Sequence, residues 1–296
     1  MRIVIAGSSG FLGTHLLRLL RGHGHQVSAL VRRAPGRDEI RWDPYDGRLD
    51  PSVLQGVHVV VNLAGAPTMG NPHSSSWARA LRESRVTTTS VLAEAISRCE
   101  RPPAFLAGNG ISWYGDHGDS PVTEQSESLG DALLTRVTRE WQEATAPAVE
   151  AGARVCILRT APVLDREAAP LSVLAPLFKV GLGAGLGSGQ QYFPVISLRD
   201  WTAATAFLAE SRDLAGAFNL CAPQTPTNAE FTAELATAVG RRARLRVPDF
   251  ALKPAAGAMA PEVLGSIRAV PAALETAGFD FSDPTVAEVL AAGLHR

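Results

Sequence analysis

Apolar residues fall into short dense runs, and the stretches between them carry apolar positions at helical spacing. Ile3, Val4, Ile5 and Ala6 form a β-rich run that stops at Gly7, glycines recur at Gly10 and Gly13, and leucine-rich sequence then resumes. Leu12, Leu16, Leu19 and Leu20 share one helical face, with Arg18 and Arg21 off it. The opening therefore predicts strand, glycine turn, helix. Gly22 and Gly24 stop that helix, and residues 26–31 read as a second strand. A short strand is expected at 40–43, and 57–63 is a nearly continuous β-branched run of the kind buried on both faces of a parallel sheet. Residues 75–98 read as a helix, 105–108 as a strand, 131–150 as a helix and 154–158 as a strand. This alternation predicts an α/β fold with a Rossmann-type doubly wound parallel sheet.

Beyond residue 158 the pattern changes. Gly181, Gly183, Gly185, Gly187 and Gly189 punctuate residues 179–189, which predicts a mobile loop. It is no phosphate loop, because no Lys-Ser/Thr pair opening a helix follows. Residues 190–196 look extended, 200–210 helical, 217–220 like a last sheet strand, and 227–239 like an amphipathic helix capped by Asn228. The remainder is helical and broken by prolines. The sheet pattern thus occupies the first half of the chain and returns near 217–220.

The glycine turn carries the first chemistry. Gly7 suits a tight turn, Gly10 lets a ligand approach the main chain, and Gly13 lets the helix sit close to the strand. The helix N-terminus then offers free N–H groups and a positive dipole end to a pyrophosphate. Candidate cofactor contacts are Gly7, Ser8, Ser9, Gly10, Phe11, Leu12 and Gly13, together with Leu63, Ala64 and Gly65 at the end of the fourth strand. The second strand ends in Arg32 and Arg33, where an NAD site usually has an acidic residue for the ribose hydroxyls. Two guanidiniums there suit a 2′-phosphate, which points to NADP; a solvated arginine pair is the alternative.

Composition narrows the class. The 296 residues support a sizeable core, and 28 Lys+Arg against 29 Asp+Glu give no basic surface for nucleic acid. No apolar run reaches the length of a membrane span, and Met1 leads directly into a strand without a secretory signal. Cys99, Cys156 and Cys221 are scattered and read as reduced thiols of a cytoplasmic protein. His23 and His25 lack a Cys or carboxylate at metal spacing and read as a solvated turn, so no metal is expected. A small-molecule substrate is the expected partner, and a homodimer is compatible with the sequence.

Several motifs recur in this order in one family: GSSGFLG, Asn62-Leu63-Ala64-Gly65, Ser84-Arg85-Val86, Trp113-Tyr114-Gly115, Leu158-Arg159-Thr160 and Gly187-Ser188-Gly189-Gln190-Gln191. Asn219-Leu220 through Pro223, Leu264-Gly265-Ser266, Val270-Pro271 and Ala277-Gly278-Phe279 extend the likeness nearly to the end. The chain resembles the epimerase-family branch of atypical, extended short-chain dehydrogenase/reductases, within the NAD-dependent epimerase/dehydratase superfamily, whose members carry a C-terminal domain of unknown function. The resemblance implies a Rossmann fold binding NADP(H), formed by residues 1–164 with 195–222 returning to it, topped by a smaller, α-rich substrate domain formed by residues 165–194 and 223–296.

Extended short-chain enzymes use a Ser or Thr, a Tyr, and a Lys four residues after the Tyr to move the proton. The helix that should carry the pair, Gly130 to Trp141, has neither Tyr nor Lys, and Asn109 stands where the Ser is usual. Tyr114 could replace the donor or simply pack its Tyr-Gly turn. Asn109 could bind substrate or the nicotinamide amide. Asp116, His117 and Asp119 offer an acid/base set in what also reads as a solvated turn. His73 and Trp77 open the helix after the fourth strand, and Gln191 and Arg199 belong to the segment that touches substrate in extended relatives. Arg199 either clamps a phosphate or carboxylate or pairs with Asp200. Three functions fit: an NADP(H)-dependent oxidoreductase or epimerase on a small polar or nucleotide-sugar-like substrate, an NADP(H)-binding sensor without turnover, and a cofactor-independent lyase or cyclase.

Overall fold

A computed structural model describes residues 1–295. The chain opens with β1 (Arg2–Ala6), α1 (Phe11–Gly22), β2 (Gln26–Val31), β3 (Glu39–Arg41), β4 (Val59–Asn62), α2 (Ser75–Ser97) and β5 (Ala104–Gly110). It continues through β6 (Pro121–Val122), α3 (Leu133–Glu143), α4 (Ala146–Glu150), β7 (Val155–Thr160), β8 (Val163–Leu164), α5 (Leu171–Lys179) and β9 (Ala184–Leu186). The last third holds β10 (Ile196–Ser197), α6 (Leu198–Glu210), β11 (Gly216–Leu220), α7 (Asn228–Ala238), β12 (Leu245–Val247), α8 (Asp249–Ala256), α9 (Ala260–Leu264), β13 (Arg268–Ala269), α10 (Ala272–Thr276) and α11 (Val286–Leu294).

Seven strands form one parallel sheet in the order β11-β7-β5-β4-β1-β2-β3. The order reverses between β1 and β4, which opens a crevice at their carboxyl ends. Strand alternation divides the sheet's two faces. Ile3 and Ile5 pack with Leu16, Leu20 and Trp201 on the α1/α6 side, while Val4 and Ala6 pack with Leu92, Ile96 and Ala148 on the α2/α4 side. With helices on both faces, β4 is buried along its whole length, which is why its sequence is continuously apolar up to Asn62. A third cluster, with Leu171, Phe178, Phe231, Leu235, Val289 and Leu290, is the core of the smaller unit.

Four local expectations are corrected. The helix expected over 131–150 breaks after Glu143, and α4 begins afresh with Pro147 in its first turn, where a missing N–H costs nothing. The glycine-rich stretch is a strand in part: β9 pairs in parallel with β12 over Ala184–Leu186. Thr227, and not Asn228, caps α7, in a reciprocal pair with Glu230. Asn228 Oδ1 instead accepts from the Leu186 amide at 2.9 Å, which fixes β9 beside α7. The tail is also not wholly outside the sheet domain, since Ala269 and Leu274 lie in the main core.

The C-terminal segment is fastened to the sheet domain by polar contacts at the start of α6. Asp200, 1 % exposed, accepts from the Ser282 and Asp283 amides at 2.9 and 2.8 Å. Asp283 in turn takes both arms of Arg199, with Nε to Oδ2 at 3.0 Å. Removing the Asp200 acceptors orphans two backbone donors, one of them buried. Asp200→Ala should lose about 2 kcal/mol in urea unfolding, with Asp200→Asn intermediate because it keeps one acceptor oxygen. Equal stability of all three proteins would show that the tail is held by apolar packing alone.

Candidate functional site

The crevice between β1 and β4 is walled by the glycine turn and by the backbone that follows β4. Gly7 has φ +80°, and a Cβ there would lie 2.6 Å from the Leu63 carbonyl, so the turn presses directly on that backbone. Gly13 is tighter still: its Cβ would lie 2.2 Å from Gly7 O and 2.7 Å from Ser8 Cα. Gly10 would meet only Gly7 O, at 3.3 Å, and is left with one exposed face. The turn closes on itself through Gly10 N to Gly7 O at 3.1 Å and Thr14 Oγ1 to Ser8 O at 3.1 Å. Gly10 precedes α1 without a capping side chain, and the amides of Phe11, Leu12 and Gly13 find no acceptor among the described residues. They are the free donors of a helix N-terminus.

Ala6 pairs with Leu30 in register, so the residues after β2 run beside the glycine turn. There the two arginines separate. Arg33 is held by Glu39 of β3, Nη1 to Oε2 at 2.8 Å and Nη2 to Oε1 at 2.5 Å, and this contact lowers the Glu39 pKa. Arg32 is exposed and has no hydrogen-bond or ionic partner among the described residues. Of the two, only Arg32 has a guanidinium at liberty for a 2′-phosphate.

Across the crevice, Asn62 is fully buried and fixes the end of β4 to α2. Its Nδ2 donates to Thr89 Oγ1 at 2.9 Å and Thr88 Oγ1 at 3.3 Å, and its Oδ1 accepts from Ala64 N at 3.1 Å. Ala66 N donates to Ser84 Oγ at 2.9 Å. Next to them stands Arg85, quoted above only as part of a motif. Its side chain runs past Gly65, where a Cβ would meet Arg85 Cγ at 3.3 Å. Arg85 donates to Leu81 O and Thr68 Oγ1, both at 3.0 Å, and sits 5.3 Å from the Trp141 ring centre. Burial pushes its pKa down to about 10, so it stays charged, and it has no carboxylate partner among the described residues. An uncompensated half-buried cation wants an anion, and no periodicity in the sequence announces it.

The two catalytic candidates have structural work. Asn109 is buried in β5; its Nδ2 donates to Thr138 O at 3.0 Å and its Oδ1 accepts from Gly110 N at 2.7 Å, which binds the strand to α3. Tyr114 is fully buried in the 3₁₀ turn Ile111–Tyr114. Its hydroxyl donates to Asn219 Oδ1 at 2.7 Å and accepts from Arg159 Nη1 at 2.9 Å. Burial pushes its pKa up to about 12. Arg159 stacks 3.5 Å from the Trp113 ring centre, and Asn219 Nδ2 donates to Val270 O. Glu124 accepts from the Asn219 and Ala273 amides, which completes a network from β7 to the start of α10.

The substrate-side candidates divide. His73 is exposed on the loop before α2, which packs against Gly257, and Ala258 N donates to Pro72 O at 3.1 Å. Trp77 lies behind Gly70, its buried Nε1 without a partner. Gln191 is spent inside its own loop, with Nε2 to Leu186 O at 3.0 Å. Arg199 pairs with Asp283 and not with Asp200, 84 residues away instead of one. One further group reaches the start of α3 from the C-terminal segment: Glu262 Oε1 accepts from Leu134 N at 2.6 Å, while its buried Oε2 has no partner and burial raises its pKa.

Comparison with known proteins agrees with this geometry. Residues 3–161 match the model of the NAD dependent epimerase/dehydratase family, and residues 247–292 match a domain of unknown function, DUF1731. An epimerase family protein of Mycobacterium leprae is 39% identical over 290 residues, 97% of this chain and 94% of that protein. The crystal structure of human epimerase family protein SDR39U1 with NADPH superposes with TM-score 0.87 at 27% identity, covering 100% of both chains. A UDP-glucose 4-epimerase of Thermotoga maritima, solved with UDP-glucose, shares the fold at TM-score 0.78 and 17% identity, over 100% of this chain and 98% of that one. A glycine turn packed against the end of β4, a family match across the sheet domain and relatives of nearly equal length together place this chain in the NAD dependent epimerase/dehydratase family.

Proposed function

We propose that the chain binds NADP(H) in the β1/β4 crevice and is an oxidoreductase or epimerase acting on a small polar or nucleotide-sugar-like substrate. The observation that carries this reading is the cradle at the start of α1: three free amides over a turn whose Gly7 and Gly13 admit no side chain, with unpaired Arg32 beside it. The amides of Phe11, Leu12 and Gly13 take the pyrophosphate, and Arg32 takes the 2′-phosphate. Leu63, Ala64 and Gly65 leave room for the cofactor to cross β4, with Arg85 as a second positive charge toward an anionic ligand. When bound, the cofactor supplies or receives a hydride. The proton must come from another group.

We assign it to neither Tyr114 nor Asn109, since Tyr114 is committed to Asn219 and Arg159 and Asn109 to Thr138 and Gly110. Glu262 supports the role better. It reaches the first turn of the helix that carries Tyr and Lys in extended relatives, one of its oxygens is unengaged, and burial holds its pKa above the ordinary carboxylate value. The missing Tyr-x-x-x-Lys pair equally motivates a second reading, a cofactor-binding sensor without turnover, and the measurements below separate the two.

In calorimetric titration NADPH should bind more tightly than NADH by roughly tenfold or more, from the 1.5–3 kcal/mol of charge-assisted hydrogen bonds to a phosphate. Arg32→Gln should erase most of that preference, whereas Arg33→Gln should erase little. Equal affinity for the two cofactors in the wild type would remove the case for the 2′-phosphate. With NADP(H) and a panel of nucleotide sugars and small carbonyl compounds, absorbance at the nicotinamide band should report turnover. Glu262→Gln should lower kcat about a hundredfold, the usual weight of one acid/base group, while cofactor affinity holds. Tight NADPH binding with no turnover across the panel would favour the sensor.

Tyr114 gives a separate pH test. Unfolding exposes a phenol that ionises near pH 10, whereas the folded hydroxyl ionises at about 12. A raised acid pKa in the folded state contributes stability that is complete below the unfolded value and is lost as pH rises from about 10 to 12. The urea midpoint of the wild type should therefore fall more steeply above pH 10 than that of Tyr114→Phe. Parallel profiles would mean that Tyr114 ionises normally, and would return it to the candidates for proton transfer.

A further inference from the structure

At the opposite end of α1 from the glycine turn, about 18 Å away at 1.5 Å per residue, the helix stops at Gly22 and the chain turns through Gly24, φ +82°. His23 N bonds back to Leu19 O and His25 N to Leu20 O, which fixes the two imidazoles on either side of the glycine. Beside them α6 ends at Glu210. His23 Nδ1 lies 2.7 Å and His25 Nε2 2.9 Å from the same oxygen, Glu210 Oε1, although the residues stand more than 180 positions apart. The three ligand atoms all lie within 4.8 Å of one another.

The surroundings favour a cation. Two buried-face helices, α1 and α6, end here side by side, each presenting the negative end of its dipole, and Glu210 adds a full negative charge at the end of one of them. A carboxylate in the last turn of a helix is unfavourable unless something positive sits on it. The side chains are 43 % (His23), 13 % (His25) and 37 % (Glu210) exposed, so an ion has access. The donor set, two imidazoles and one carboxylate, is that of borderline first-row metals and not of Mg²⁺ or Ca²⁺, which take oxygen ligands.

We propose that His23, His25 and Glu210 form a binding site for a divalent transition metal, Zn²⁺ by preference, that clips the end of α1 to the end of α6. Tetrahedral Zn²⁺ with bonds of about 2.0–2.1 Å separates its ligand atoms by roughly 3.3 Å. The present 2.7 and 2.9 Å contacts would open that far by rotation of the three side chains. Binding moves the ring protons shared with Glu210 to the far ring nitrogens, puts the metal in their place and leaves a fourth position to water. The second nitrogen of His25, Nδ1, lies 3.2 Å from the Met1 ammonium, which donates to it; a metal on Nε2 puts the ring proton on Nδ1, so this contact opens on binding. The site is independent of the crevice and of any chemistry there.

The test uses the full chain without a polyhistidine tag, stripped with a chelator and titrated with Zn²⁺ against a competing indicator. One equivalent should bind and raise Tm, excess Mg²⁺ should not displace it, and Co²⁺ should give the visible absorption of a tetrahedral site. His23→Ala, His25→Ala and Glu210→Ala should each weaken Zn²⁺ roughly tenfold or more and lose the metal-dependent rise in Tm, with the circular dichroism of the metal-free protein unchanged. No saturable uptake by the wild type overturns the proposal, and so does undiminished binding in the three variants, which would put the metal on other residues.

Discussion

The approach of Gly13 to the Gly7 carbonyl is the contact on which the upper half of the molecule depends. With no Cβ in the way, α1 starts directly over the end of β1, and Leu16 and Leu20 come down onto Ile3 and Ile5 in the same core as Trp201 of α6. The same closeness brings Gly7 against the Leu63 backbone, so the turn, the helix start and the end of β4 share one wall. Any side chain at residue 13 would lift the helix off this wall. The apolar face of α1 would then lose its place, and the free amides would no longer aim into the crevice. Fold and site are set by one steric fact here.

The other polar groups near that wall are occupied by the demands of burial. A buried donor or acceptor must be paired, and the cost of leaving one unpaired is about 1–3 kcal/mol. Asn62, Asn109, Tyr114 and Gln191 each answer such a demand, Asn62 and Tyr114 chiefly through side chains on other elements, Asn109 through the Thr138 carbonyl and Gln191 through the Leu186 carbonyl of its own loop, while Arg199 meets the buried carboxylate of Asp283. Groups that look reactive as residue types thus have structural partners. What remains unanswered near the crevice is nearly all positive: the first amides of α1, Arg32 and Arg85. Glu262, whose buried Oε2 has no partner, belongs to the contact with the start of α3. The crevice is thus a place for an anionic ligand.

This division also explains what could be read in advance. The sheet was legible because burial on both faces writes itself locally, as in Val59–Asn62, and the glycine turn was legible because Gly10 and Gly13 answer contacts within six residues and Gly7 a positive φ, although Gly7 also makes room for Leu63. Contacts across long separations leave no such trace. Asp283 for Arg199, Glu210 for His23 and His25, and Glu262 for Leu134 arrive from 84 to 187 residues away, and nothing near either partner announces them. Thr227 beside Asn228 shows the limit at short range. Both residue types cap helices, and the choice fell to Thr227 because Asn228 was needed to hold β9, a strand that its own glycines conceal.

Topology orders the charges as well. In a parallel sheet every crossover helix runs back from the carboxyl edge of the strands to their amino edge, so α1 and α6 lie with the same polarity. Their N-termini face the crevice edge and their C-termini meet at the other. Peptide dipoles thus make one edge of the sheet attractive to anions and the other to cations, whatever the side chains are. The side chains follow that division: Arg32 and Arg85 supplement the positive edge, while Glu210 at the negative edge deepens a potential that the two histidines must offset. A carboxylate held by them at the joint C-termini of two helices is therefore left with negative potential that a divalent ion is suited to neutralise.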